Sequence, residues 1–334
     1  MKVSVLIAAY NAAECIPRAL ASVQAQTHHD WEAIVVDDAS IDETAAVVAA
    51  LALHEPRIRL LRRERNGGPS AARNGALDAA LGEWIAVLDA DDAWRPARLE
   101  RMLAAAARTG AELVADNQIF FDGELQQEVG LALPLAADLD PLTVELLFAN
   151  EREDSPMGLG LIKPLIARSA ILARGIRYDE TLRYTEDLHF YAQLLIAGVR
   201  AVLLADAYYL YTNPIGFLSG ERSRHSRTKT STESRLRIAD DLIGRFADRL
   251  SPQAKTEILA FRKRAEQRIA IQRITTLRLT RNYGRLALFL GRHPRTAWRY
   301  LTTSRTFHRL ASRWRILDGV HHPGVATIRE KESS

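Results

Sequence analysis

Apolar residues in the first 120 positions come in short, nearly unbroken runs, separated by stretches of helical period. Val3 to Ala8 and Ala33 to Val36 have scarcely a polar member, as strands covered on both faces require. Between them, Pro17 suits the first turn of a helix, where its missing N–H is not needed, and Ala19, Leu20 and Val23 give that helix an apolar face. Ser40-Ile41-Asp42-Glu43 has capping-box spacing, so a second helix is expected from there to about His54. Ile58 to Leu61 reads as a third strand, Asn66-Gly67-Gly68-Pro69 as a loop and Ser70 to Leu81 as a helix ended by Gly82. Trp84 to Leu88 is then the fourth strand. Pro96 to Thr109 predicts a helix stopped by Gly110, Leu113 to Phe121 a strand, and residues 122 to 140 an irregular connection. Beyond that the order weakens: Glu186 to Ala197 predicts a helix, Ala201 to Leu204 and Tyr208 to Tyr211 two strands, and an arginine-rich helical region follows from about Ser231. Alternating strands and helices make this an α/β chain with a mostly parallel sheet.

The 334 residues are 47% hydrophobic and 26% charged, which excludes disordered and collagen-like classes and allows one large domain or two small ones. Cys15 is the only cysteine, so disulfides within the chain and cysteine-cluster zinc sites are excluded. The apolar N-terminal run is too short for a signal peptide, and no run approaches the about 18 apolar residues a membrane-spanning helix needs; a soluble or peripheral protein is expected. The net charge of +4 hides an asymmetry: residues 1–220 sum to −12 and residues 221–320 to +16. Two regions with separate jobs are expected, 1–220 and 221–334.

Three carboxylates, Asp89, Asp91 and Asp92, stand directly behind the fourth strand. Ligands of open α/β sheets bind beyond the carboxyl ends of strands, and clustered carboxylates repel unless a cation offsets them. Oxygen-only ligands suit Mg²⁺ or Mn²⁺ bridging to substrate phosphates, while the same triplet also fits a turn that caps the next helix. Asp37-Asp38 follows the second strand in the same way, fit either for capping or for holding a nucleotide's base or ribose. Neither a G-x-G-x-x-G turn after the first strand nor a P-loop lysine is present, so a diphosphate would be held through a metal.

Four segments together carry a resemblance: Val5-Leu6-Ile7-Ala8-Ala9-Tyr10-Asn11, Val35-Val36-Asp37-Asp38-Ala39-Ser40-Ile41-Asp42, Asn66-Gly67-Gly68-Pro69-Ser70-Ala71-Ala72-Arg73-Asn74 and Gly82-Glu83-Trp84-Ile85-Ala86-Val87-Leu88-Asp89-Ala90-Asp91-Asp92. In order and spacing they resemble family 2 glycosyltransferases of the GT-A fold, over roughly residues 1 to 215. The resemblance implies an inverting transferase that uses a nucleotide-diphosphate sugar, a UDP-sugar favoured, and a divalent metal, Mn²⁺ or Mg²⁺. It makes Ala8, Tyr10, Asp38, Arg73 and Asp89 donor contacts, and Asp89 and Asp91 the D-x-D pair, with Asp92 a neighbouring metal candidate. Thr185-Glu186-Asp187 resembles the family's E-D motif, which makes Asp187 the general base and Glu186 a neighbouring contact; apart from the resemblance, these acids fit a helix first turn.

Met157-Gly158-Leu159-Gly160-Leu161-Ile162-Lys163-Pro164 resembles a stretch of succinoglycan-type exopolysaccharide glucosyltransferases. Lys163 would meet a phosphate there, or the segment is a plain loop. The resemblance further implies glucose as the sugar and a saccharide on polyprenyl diphosphate as the acceptor, at the inner, cytoplasmic face of the membrane. A Q-x-x-R-W motif is absent, so one sugar per encounter is expected. His225 sits in a polar segment, either solvated or closing on the diphosphate and metal.

In the tail, Arg262, Lys263, Arg264, Arg268, Arg273, Arg278, Arg281 and Arg285 alternate with Ile269, Ile271, Ile274, Leu277 and Leu279. That pattern fits an anionic membrane surface or a solvated helical cap, and no recognition motif supports nucleic acid. Trp298 and Trp314, among the tail arginines, fit helix packing or stacking on a partner. The rival to an enzyme is a non-catalytic sugar-nucleotide sensor or scaffold of an assembly complex.

Overall fold

The structure, a computed structural model, describes residues 1–135, 139–152, 155, 157–221, 223 and 231–294. The strands run Val3–Ala9 (β1), Trp31–Asp37 (β2), Ile58–Arg62 (β3), Trp84–Val87 (β4), Ala93–Trp94 (β5), Leu113–Asp122 (β6), Gln127–Leu131 (β7), Asp140–Pro141 (β8), Leu165–Ala167 (β9) and Ala201–Thr212 (β10). The helices are Ile16–Gln24 (α1), Thr44–His54 (α2), Pro69–Ala79 (α3), Arg98–Thr109 (α4), Val144–Asn150 (α5), Arg168–Arg174 (α6), Glu186–Ile196 (α7), Thr232–Arg245 (α8), Pro252–Leu279 (α9) and Tyr283–Arg292 (α10).

One sheet joins the strands in the order β3-β2-β1-β4-β9-β6-β10-β5, with β7 on β6 and β8 on β10. β1 lies parallel between β2 and β4, Val5 facing Ala33 on one side and Ala86 on the other. Strand order reverses there, because the chain goes outward from β1 through β2 to β3 and then returns to β4. The crevice at the carboxyl ends of β1, β2 and β4 is therefore the place for a ligand. Every residue of β2 is buried and β1 is nearly so, as the unbroken apolar runs require. Pro17 lies in the first turn of α1, and Gly110 ends α4 with a left-handed φ of 66°.

Several local expectations are corrected. The capping box at Ser40 does not form: α2 starts at Thr44 with no side-chain cap. Ser40 Oγ instead accepts from Asn11 N–H at 2.9 Å and Thr44 Oγ1 from Ala12 N–H at 2.7 Å, because the turn leaving β1 has its own unpaired N–H groups. Gly82 does not end α3, which stops at Ala79; a Cβ on Gly82 would sit 2.6 Å from Ser4 N and 2.8 Å from Lys2 O, so its role is close backbone approach. Residues 122 to 140 are not wholly irregular, since β7 pairs antiparallel with β6. The two late strands are one, β10, whose pairing with β6 shifts register between Leu204 and Tyr209. That bulge hides the continuity from a period-2 reading.

By packing, the chain divides into two compact units, Met1–Arg262 and Lys263–Ser334. The first holds the sheet and α1 to α8. The division falls later than the change in charge near residue 220. Along α9 the apolar and basic positions spiral round the helix rather than separating onto opposite faces. No helix among the described residues is long and apolar enough to cross a membrane.

Candidate active site

Three turns at the crevice hold non-glycine residues at positive φ: Asn11 (49°) after β1, Ala39 (60°) after β2 and Thr185 (65°) before α7. Left-handed non-glycine backbone is costly and persists where surrounding contacts over-determine it. Asn11 is fixed through both backbone and side chain, its N–H donating to Ser40 Oγ and its side-chain Oδ1 accepting from Ile41 N–H at 2.9 Å.

Asp38, buried at the end of β2, uses both carboxylate oxygens on the glycine loop. Oδ1 accepts from Gly67 N–H at 2.9 Å and Oδ2 from Gly68 N–H at 2.7 Å, with Arg63 Nε 3.0 Å from Oδ1. Gly68 has φ 84°, and a Cβ there would lie 2.6 Å from Arg183, so only glycine suits the turn. Asp38 thus ties this loop to the sheet edge. Tyr10, at the end of β1, is 41% exposed on the same edge, while Ala8 is half-buried within the strand.

Behind β4, one oxygen from each of Asp89, Asp91 and Asp92 falls within 4.8 Å of the others. The three are not equivalent. Asp92 is buried with both oxygens engaged, Oδ2 accepting from Tyr209 O–H at 2.7 Å and Oδ1 from Thr212 N–H at 2.7 Å. Burial and the charges of Asp91 and Asp89 push its carboxyl well above the usual range. Asp91 is half-buried, and burial together with the Asp89 charge pushes it from 3.8 up to about 6. Arg18 and Thr212 Oγ1, the latter at 2.5 Å, donate to the Asp91 main-chain carbonyl oxygen, and the Asp91 carboxylate lies beside those of Asp89 and Asp92.

Asp89 belongs to a second cluster. Arg73, 4% exposed on α3, reaches Asp89 Oδ1 at 2.6 Å, Glu186 Oε1 at 2.7 Å and Asp187 Oδ1 at 3.2 Å. Lys163, 3% exposed, reaches Asp187 Oδ2 at 2.5 Å and Asp89 Oδ2 at 2.9 Å. Burial alone would raise Asp89 and lower Lys163 and Arg73, but the facing opposite charges win and reverse all three. Burial raises Glu186, with Asp187 adding to it against the pull of Arg73. Among the described residues three cations, Arg73, Lys163 and Arg18, face five carboxyl groups here, counting Asp91 and Asp92. An incoming divalent cation fits that imbalance and the oxygen-only donor set.

Of the residues singled out in the sequence, Asp89, Asp91, Asp92, Arg73, Lys163, Glu186 and Asp187 meet in one place. Lys163 is turned onto carboxylates of the protein itself. His225, Trp298 and Trp314 lie outside the described residues. Sequence reading passed over Arg18, Arg98, Tyr209 and Thr212. Arg18 had one faint signal: with Lys2 it is the only Lys or Arg before Arg57.

The sheet order and crevice define the class as an open α/β fold with its ligand site at the strand-order reversal beside β1, and similarity to known proteins gives its family. Residues 4–139 match the family model described as glycosyl transferase family 2. The chain is 32% identical over 297 residues to the succinoglycan biosynthesis protein ExoU of Rhizobium meliloti (strain 1021), covering 87% of this chain and 83% of that protein. ExoO of the same organism is 38% identical over 220 residues, 63% of this chain; the chain spans 60% of ExoO's length. Among solved structures, residues 1–349 of S. aureus TarS in complex with UDP-GlcNAc share the fold with TM-score 0.62 and 23% identity, covering 79% of this chain and 72% of that one. The chain belongs to glycosyl transferase family 2 and is a glycosyltransferase.

Proposed function

We propose that this chain moves one sugar per encounter from a UDP-sugar to a saccharide on a polyprenyl diphosphate carrier, with inversion, in exopolysaccharide or cell-surface glycan synthesis. The observation that carries the reading is the buried knot in which Asp187 and Asp89 share Lys163 and Arg73. It supports a donor side and an acceptor side a few ångströms apart, as single displacement requires. Asp187 takes the proton of the attacking hydroxyl. Ala8, Tyr10 and Asp38 line the donor's nucleoside end, and Glu186 braces Arg73 from the acceptor side.

Asp91 would be the main ligand of Mn²⁺ or Mg²⁺, for burial and Asp89 destabilise it as an anion, and Asp89, whose oxygens lie close by but already face Arg73 and Lys163, would share the ion. Asp92, with both oxygens engaged, supports the turn. The metal, when bound, offsets the charge of the departing nucleoside diphosphate. The domain reading follows the charge: residues 1–220 catalyse, and the basic region 221–334 meets the anionic cytoplasmic face of the membrane. Relatives named for succinoglycan biosynthesis support the polysaccharide context, and glucose is the first sugar to test.

The test is release of UDP from a panel of UDP-sugars with Mn²⁺, Mg²⁺ or EDTA, with a polyprenyl-diphosphate-linked saccharide as acceptor. Metal-dependent transfer from one donor is expected, with Asp187→Asn keeping UDP affinity and losing turnover. Full turnover by Asp187→Asn sinks the base assignment. UDP binding without transfer from any donor favours a sensor.

A further inference from the structure

Lys163 has an ammonium that is buried and already engaged. It lies 2.5 Å from Asp187 Oδ2 and 2.9 Å from Asp89 Oδ2, while Arg73 holds the other oxygen of each acid at 3.2 and 2.6 Å. Asp89 is therefore held at both oxygens by two different cations, while, among the described residues, Asp187 is hydrogen-bonded at Oδ2 by Lys163 alone and its buried Oδ1 faces Arg73 as an ion pair without a hydrogen bond. Rotation of the Asp187 carboxyl group breaks at least one charge-assisted contact, and such contacts are about twice as strong as neutral ones.

The backbone behind Lys163 is held just as closely. Arg98, fully buried, donates to the Lys163 carbonyl oxygen and pairs with Asp116 Oδ1 at 2.8 Å. Its guanidinium lies over Trp94 at 4.6 Å and Tyr209 at 5.1 Å. Gln118 Nε2 donates to the Leu161 carbonyl oxygen at 3.1 Å, and Gly160 N–H donates to Glu151 Oε1 at 2.9 Å. Pro164 then confines Lys163 to extended backbone. A flexible lysine stem carries a costly rotamer entropy, and here the anchored main chain restricts where its tip reaches.

We infer that Lys163 is a positioning residue for sugar transfer, holding Asp187 oriented against Asp89 from a backbone locked by Arg98, rather than a ligand of the donor's diphosphate. This rests on the reading of Asp187 as the base. Lys163 acts through Asp187, so its removal lowers the rate of the chemical step and leaves donor affinity in place.

The experiment compares the full chain with Lys163→Met, Lys163→Arg, Asp187→Asn and the Lys163→Met/Asp187→Asn double variant. Turnover is measured on the UDP-sugar selected by the donor screen, and UDP affinity with Mn²⁺ by calorimetry. Lys163→Met is expected to lower kcat by about 100-fold, the loss that a displaced catalytic group produces, with KM and UDP affinity changed less than about threefold. Lys163→Arg should recover about tenfold, since a guanidinium can bridge two carboxylates. The double variant should be no slower than Asp187→Asn, the non-additivity of groups that act as one. Weaker UDP binding at unchanged kcat in Lys163→Met, or losses that multiply in the double variant, would overturn the inference. If Lys163→Met does not fold, Lys163→Arg carries the test: a rise in its UDP dissociation constant of about tenfold or more overturns it equally. Full turnover by Asp187→Asn overturns the base reading; an inactive Asp187→Asn beside a fully active Lys163→Met overturns this inference alone.

Discussion

Replacing Arg73 by Met removes the cation shared by three acids. Its guanidinium is 4% exposed and holds Asp89 at 2.6 Å, Glu186 at 2.7 Å and Asp187 at 3.2 Å, so only Lys163 would remain among them. Removing one partner of a buried ion pair costs about 3–5 kcal/mol, chiefly because the other charge is stranded. The Asp89 side chain is 26% exposed, so water takes up part of the stranded charge and the lower end, about 3 kcal/mol, applies. For a domain of this size each kcal/mol moves the melting temperature by about 2–4 °C, so Arg73→Met should melt about 6–12 °C lower. The assay is calorimetric melting at neutral pH in EDTA. Because the loss is one of stranded charge, adding Glu186→Gln should recover about 1 kcal/mol, a coupling expected of groups in direct contact. Arg73→Lys, one charge without the fork, should fall between. Melting of Arg73→Met within about 1 °C of the parent, or a further drop on adding Glu186→Gln, refutes the reasoning.

Other consequences are open to simple measurement. Burial would raise the Glu32 carboxyl, but Ser4 O–H, Leu81 N–H, Arg59 and Lys2 more than offset it and hold it below 4.5. Its contribution is thus complete above the ordinary value and is lost as pH falls through the depressed one; Glu32→Gln should flatten the acid limb of a urea-unfolding profile, and an unchanged limb counts against the assignment. Gly82→Ala forces a methyl against Ser4 N and Lys2 O and should cost about 1–3 kcal/mol by chemical denaturation, whereas a neutral effect means β1 yields there. Mn²⁺ should raise the melting temperature of the parent but not of Asp91→Asn; an equal rise in both moves the metal off Asp91. Replacing Arg268, Arg273 and Arg278 together by Ser should weaken binding to anionic vesicles by about 100-fold, at about 1 kcal/mol per basic residue, and equal binding removes the membrane reading.

What the sequence determined by itself is the set of elements with a strong local period and the edge on which the acids fall. The apolar runs of β1 and β2 are buried on both faces whatever their neighbours, and Gly110 ends α4 because a left-handed residue closes a helix locally. Strand–helix alternation then forces Asp38 and Asp89 to one end of one sheet. The tertiary structure alone decided which side chains meet. Ser40 has the spacing of a cap, yet the unpaired N–H of Asn11, 29 positions away, claims its oxygen. Asp91 and Asp92 are neighbours of the same type, and only the return of β10 with Tyr209 and Thr212 makes the carboxylate of one a fastening and holds the other by its main-chain carbonyl. Lys163 carries no periodic signal, and its place between Asp89 and Asp187 follows from contacts 74 and 24 positions distant. Local periods record what one segment buries; partners of a buried charge are chosen by chain reversals that bring distant segments together, and no single stretch of sequence contains them.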